Sequence, residues 1–230
     1  LEYVNEYKNA RILTLRDSRT KAGVLAGEGE YLSALEELKN LTTKSGENLD
    51  LLSLADFQAK RELYDEALLT FDQILTNDPK NTIAILGKSL TLASIGRGDE
   101  ALEEIKKIQD IESGERFRYM ALVSRAGERP DEELENIRNM LEVDPDNVLN
   151  IIVAADTFQR IGMEPERSGA LKRALEIQPD NVEVLTMLAN ETLRSDPGNR
   201  DLDDLFQKIG RTKPNTARIL RLIRDSSNVT

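Results

Sequence analysis

The chain has 230 residues, of which 32% are charged, 39% hydrophobic and only 4% aromatic, and its formal net charge is −11. It contains neither cysteine nor histidine, which excludes disulfide scaffolds, thiol nucleophiles, imidazole acid–base chemistry and zinc sites built from those ligands. A chain this acidic is repelled by nucleic acid and by anionic membranes, and its Ala-, Leu-, Glu- and Ile-rich composition favours helices over a sandwich or barrel.

In chain order, residues 2–14 read as helix, with no Gly or Pro to separate them from a helix at 15–27. Helices are then predicted at 31–43, 48–60, 64–76, 82–95, 99–110, 115–127, 131–142, 148–161, 165–176, 182–194 and 201–210, with a final helix at 215–225. The 64–76 segment shows why. Tyr64, Ala67, Leu68, Phe71, Ile74 and Leu75 fall at i, i+3, i+4, i+7, i+10 and i+11, which is one face of a helix. Nowhere is there period-two alternation long enough for a sheet.

Punctuation between the helices repeats. Asn77-Asp78-Pro79-Lys80-Asn81 returns as Val143-Asp144-Pro145-Asp146-Asn147 and as Ile177-Gln178-Pro179-Asp180-Asn181, and Pro214 continues the series. Pro145 and Pro179 are 34 residues apart, and Pro79 and Pro145 are 66 apart. A proline has no amide hydrogen and disfavours helix in the preceding residue, so it stops the incoming helix. The following asparagine (Asn48, Asn81, Asn147, Asn181 or Asn215) is expected to cap the outgoing one.

The repeat resembles the tetratricopeptide repeat, whose pattern is a large residue, Leu-Gly and Tyr on a first helix, Ala and Phe on a second, and a closing proline. Residues 48–81 match through Leu51, Leu54-Ala55, Ala67, Phe71, Ile74 and Pro79; residues 148–181 match through Ile151, Ala154-Ala155, Phe158, Gly162, Leu171, Ala174-Leu175 and Pro179. The likeness covers nearly the whole chain. Two departures stand out: the small residue early in the second helix is replaced by Glu133 and by Arg167, which predicts splaying of those two pairs or a slipped register. The resemblance implies an all-α, right-handed α-solenoid of about six stacked antiparallel helix pairs. Residues 1–230 would form one such domain, opened by a helical segment at 1–14 and capped by the helix at 215–225.

Several short motifs carry chemistry elsewhere but lack its full pattern here. Gly87-Lys88-Ser89 reproduces the end of a phosphate-binding loop, but its leading glycine is replaced by Thr82 and the tripeptide lies mid-helix. Gly27-Glu28-Gly29 lacks a third glycine and a βαβ setting. Asp144-Pro145-Asp146-Asn147 lacks the central glycine and terminal glutamate of a calcium loop. Carboxylate pairs such as Glu36-Glu37 and Glu103-Glu104 sit on predicted solvent faces, whereas catalytic carboxylates need burial or convergence. No catalytic residue, cofactor or metal is expected.

What remains is recognition of a protein or peptide partner. In the family the first helices line the concave side and hold an extended or helical peptide. The positions implied here are Leu52, Asp56, Leu86, Leu90, Arg118, Leu122, Arg125, Ile152, Asp156, Gln159, Thr186 and Asn190. The leucines with Ile152 would make an apolar strip, and Arg118 and Arg125 would be charged anchors. The plainer reading is that these leucines pack on neighbouring helices. A Lys/Asn/Arg clamp for chaperone C-termini is missing, since its sites hold Leu52, Asp56, Leu86 and Leu90. The alternative role is an assembly or spacer segment of a larger, membrane-anchored, secretion or polymer-export protein that self-associates.

Charge is uneven along the chain. Lys208, Arg211, Lys213, Arg218, Arg221 and Arg224 occur within 207–224 with no acidic residue. This stretch reads either as a solvated helix face or as a docking surface for an acidic partner. No window has the eighteen apolar residues of a membrane span, and opening on Leu1 suggests a piece of a longer protein. The compartment is undetermined: the cytoplasm is the default, and a periplasmic setting would need a removed signal or anchor.

Overall fold

The computed structural model describes residues 2–109 and 111–227, with side chains from Leu15 onward. Among the described residues there are thirteen helices and no strand. They are α1 (Glu2–Gly27), α2 (Tyr31–Ser45), α3 (Asn48–Lys60), α4 (Tyr64–Asn77), α5 (Thr82–Ser94), α6 (Gly98–Lys106), α7 (Ser113–Ala126), α8 (Pro130–Val143), α9 (Val148–Arg160), α10 (Glu164–Ile177), α11 (Val182–Ser195), α12 (Asp201–Thr212) and α13 (Pro214–Ser227). The segment 2–14 is continuous with the first helix, as its lack of breakers predicts. Only α6 stops well short of expectation, at Lys106; Ile108 remains buried beyond its end, and Asp110 lies outside the described residues.

The chain divides into two compact units, one of residues 1–111 with 122–129 and one of 112–121 with 130–230. Within the first, α1 packs on α2, α3 on α4 and α5 on α6, and each pair meets the next. Within the second, α9 packs on α10, α11 on α12, and α12 on α13. Each unit is thus a stack of helix pairs, in which a helix that cannot bury its apolar faces alone is covered by neighbours in sequence.

Two kinds of turn alternate. The turns inside pairs place Gly29, Glu62, Gly96, Glu128 and Gly162 at positive φ. In each, an amide closes back across the turn, as in Leu63 N to Gln58 O and Arg97 N to Leu92 O at 3.0 and 2.9 Å, the hydrogen bond of a left-handed helix end. Glycine adopts this conformation freely; Glu62 and Glu128 do so against Cβ crowding. The turns between pairs use asparagine. Asn81, Asn147 and Asn181 accept from the amides of Ala84, Asn150 and Val184 at 3.0, 3.3 and 3.1 Å, satisfying an otherwise orphaned helix donor. Asn48 and Asn215 do not cap. Glu47 precedes α3 and gives no side-chain cap, and Pro214 itself opens α13, so Asn215 already lies inside the helix.

The core repeats with the turns. Leu38, Phe71, Ile105, Ile137, Leu171 and Phe206 are all buried, as are Leu41, Ile74, Ile108, Met140, Ala174 and Ile209 one turn later. Facing them on the first helices are Ala22, Ala55, Ser89, Ala121, Ala155 and Ala189, small residues that let the helices approach. Burying each large apolar side chain contributes about 1.5–3 kcal/mol, so stability accumulates from pair to pair.

Candidate protein-interaction face

In the first unit α3 touches α5 directly. Leu52, Leu86 and Leu90 of these helices are half-buried and Asp56 is exposed, and Leu122 and Arg125 of α7 are half-buried. A pocket of about 230 Å³ opens there, lined by Asp56, Ala59, Lys60, Tyr64, Phe71, Gly87, Leu90, Thr91 and Ser94. Asp56 accepts from Lys60 Nζ at 2.7 Å, so the rim carries an ion pair above an apolar floor. In the second unit Arg118, Ile152, Gln159, Thr186 and Asn190 are half-buried and Asp156 is exposed. Arg118 is engaged within its own helix: its guanidinium lies 3.1 Å from Glu115 and 5.6 Å from the Tyr119 ring. Burial, followed by the Glu115 carboxylate, pushes the Tyr119 hydroxyl above its usual range.

The structure therefore gathers Asp56 and Leu90 into one pocket, while the apolar residues of the expected strip are partly covered. Leu52 packs on the cluster of Leu51, Ala55, Phe71 and Ile74, and Ile152 on that of Ile151, Leu171 and Val184. Sequence reasoning missed Lys60, Tyr64 and Phe71 in the pocket wall, because Tyr64 and Phe71 come from the second helix of the pair. A signal was available in Gly87, a helix-interior glycine. A Cβ at that position would lie 2.4 Å from Phe71 Cζ, so the glycine is what lets the Phe71 ring lie against α5.

This also accounts for Gly87-Lys88-Ser89. Ser89 donates to its own helix at Ile85 O, 2.8 Å away. Lys88 Nζ lies 2.7 Å from Asp72 and 3.4 Å from Glu104. Burial works to lower its pKa, but the two carboxylates outweigh burial and raise it, so the lysine is held as a charged pillar. Its donors are turned to carboxylates, which leaves the tripeptide none of the geometry of a phosphate loop.

Glu133 and Arg167 occupy the slot filled by Ala34, Ala67 and Ala101, and all five are buried. The register does not slip. Each charged side chain meets a partner on the first helix of the next pair. Glu133 accepts from Thr157 at 3.0 Å and from Arg160; Arg167 lies 2.8 Å from Glu191 and 3.4 Å from Glu164. The α9–α10 pair, which carries Arg167, packs as closely as α5–α6. Elsewhere Arg19 grips the buried Asp50 at 2.6 Å and Glu47 at 2.7 Å. Burial raises the Asp50 pKa, but hydrogen bonds from Arg19 and Ser45 more than offset it, and the carboxyl stays below its ordinary 3.8.

Among the described residues no group of three or more acidic side chains converges to hold a metal ion, and no helix is long and apolar enough to cross a membrane. No family model matches the sequence, and no curated protein matches it. Solved structures do. A tetratricopeptide repeat protein from Parabacteroides merdae is similar over 94% of this chain and 88% of its own, at 16% identity and a TM-score of 0.51. YrrB, described as a TPR protein with an unusual peptide-binding site, aligns over 84% of this chain and 98% of its own, at 14% identity and a TM-score of 0.45. MamA from Desulfovibrio magneticus RS-1 aligns over 73% and 96%, at 16% identity and 0.46. With its paired helices, alternating turns and periodic core, the chain has the fold of tetratricopeptide-repeat proteins.

Proposed function

We propose that the chain is a non-enzymatic protein-interaction scaffold whose first-helix face binds a peptide or helix of a partner. The observation that carries this reading is the pocket of about 230 Å³ where Asp56 and Leu90 meet Tyr64 and Phe71. An apolar anchor of the ligand enters between Phe71 and Leu90, each well-buried side chain contributing about 1.5–3 kcal/mol. The Lys60–Asp56 pair at the rim selects polar groups on the flanking residues. Leu86, Leu122 and Arg125 belong to the same unit; in the second unit, taken by itself, Ile152, Asp156, Gln159, Thr186 and Asn190 line the corresponding first-helix face.

The test is selection from a displayed peptide library on the intact chain, followed by titration of the selected peptides. Leu86→Glu with Leu122→Glu is expected to weaken binding by more than about tenfold while far-UV circular dichroism stays unchanged. Retained affinity in that double variant removes the face from consideration. Failure of selection together with concentration-dependent self-association in sedimentation would favour the assembly role instead.

A further inference from the structure

The last helix carries a second surface. Ala217 and Leu220 of α13 are buried against Leu202, Leu205, Phe206 and Ile209, and Arg224 is tied to Asp203 at 2.6 Å with its guanidinium 5.3 Å from the Phe206 ring. On the opposite side Ile219, Leu222 and Ile223 are 57%, 60% and 45% exposed. Three large apolar residues at i, i+3 and i+4 form one strip, not scattered surface apolars. In α11 a comparable two-sided pattern is covered on both sides: Val184 packs with Ile151 and Leu171, and Leu185 with Leu202 and Phe206. On α13 nothing among the described residues covers the second side.

The border of the strip specifies what would fit. Arg218 and Arg221 run along one edge of it, and Arg211 and Lys213 precede it; all four are exposed, and no ion-pair partner is found for them among the described residues. We infer that the outer face of α13 docks an acidic amphipathic helix of a partner protein, which adds to the end of the second unit as one more helix of the stack. The strip has the helical spacing that a partner helix can interlock with. Its arginines sit in a chain that is otherwise strongly negative, so an acidic peptide is drawn to this basic stretch. An anionic bilayer would meet the same arginines but would also face the negative bulk of the protein, which disfavours it. This surface is separate from the first-helix pocket.

The experiment uses fluorescence anisotropy on the whole chain with two labelled helical peptides of about 16 residues. Both carry Leu at i, i+3, i+4 and i+7; one has Glu and the other Lys at the remaining charged positions. The Glu peptide is expected to bind at least about tenfold more tightly than the Lys peptide, and less so as salt is raised. Ile219→Ser with Leu222→Ser weakens it by about tenfold or more, and Arg218→Glu with Arg221→Glu reverses the preference. Leu86→Glu with Leu122→Glu leaves it unchanged, which separates this face from the proposed first-helix face. Equal or absent binding of the two peptides overturns the inference. So does binding to phosphatidylserine–phosphatidylcholine vesicles but not to the Glu peptide, or self-association that Leu222→Ser abolishes.

Discussion

The same slot is solved differently in the two units. In α2, α4 and α6 it holds Ala34, Ala67 and Ala101, and the neighbouring helix closes over a methyl group. In α8 and α10 it holds Glu133 and Arg167, equally buried, each facing a complementary group on the following helix. A repeat therefore does not require a small side chain at this position. It requires that whatever occupies the slot be compensated there, by close packing in one case and by opposite charge in the other, even though the buried Arg167 Nε keeps no hydrogen-bond partner.

The largest expected effect comes from forcing the second solution onto the first unit. Ala67→Glu places a carboxylate where Phe71, Ile74 and Ala84 offer it no partner, and is expected to cost about 4 kcal/mol or more and to break cooperative thermal unfolding. An unchanged melting curve would contradict the register. Next is Glu191→Ala, which leaves the Arg167 guanidinium, 4% exposed, with only the more distant Glu164. A loss of about 3 kcal/mol in urea unfolding is expected. Replacing both, as Arg167→Leu with Glu191→Leu, should instead fall between no change and a gain of about 2 kcal/mol.

A smaller effect is set by pH in the first unit. Asp50 has a folded pKa below its ordinary 3.8, so its contribution is fully present above that value and disappears as pH falls through the lower folded one. Melting temperature should therefore drop on acidification below about pH 4, and the drop should be shallower in Arg19→Gln, which removes the main cause of the depression. The smallest effect is expected at the turns. Glu62→Gly relieves a left-handed glutamate and, after the entropy glycine adds to the unfolded chain, should stabilise by about 0.5 kcal/mol; the same change at an ordinary helix position would destabilise.

Much of the fold was legible because it is written in local signals. The apolar spacing of Tyr64 to Leu75, the Asp-Pro-x-Asn turns at Asn81 and Asn147, and the turn glycines Gly96 and Gly162 each act within a few residues. Asn48 and Asn215 misled because capping depends on where the helix begins: Asn48 is already the first residue of α3, and Pro214 opens α13 ahead of Asn215. What depended on distant contacts was harder to read. That Glu133 meets Arg160, 27 residues away, or that Gly87 makes room for Phe71, requires knowing which helix faces which. The candidate face was legible in the sequence but the pocket on it was not, since Tyr64 and Phe71 enter from the second helix of the pair.

The reading that this scaffold holds its ligand along the first helices is tested most directly by amide hydrogen exchange of the intact chain with and without a selected peptide. Slowed exchange concentrated in α3 and α5, around Asp56 and Leu90, is the predicted result. Slowing confined to the outer helices α4 and α6, with α3 and α5 unaffected, would contradict it.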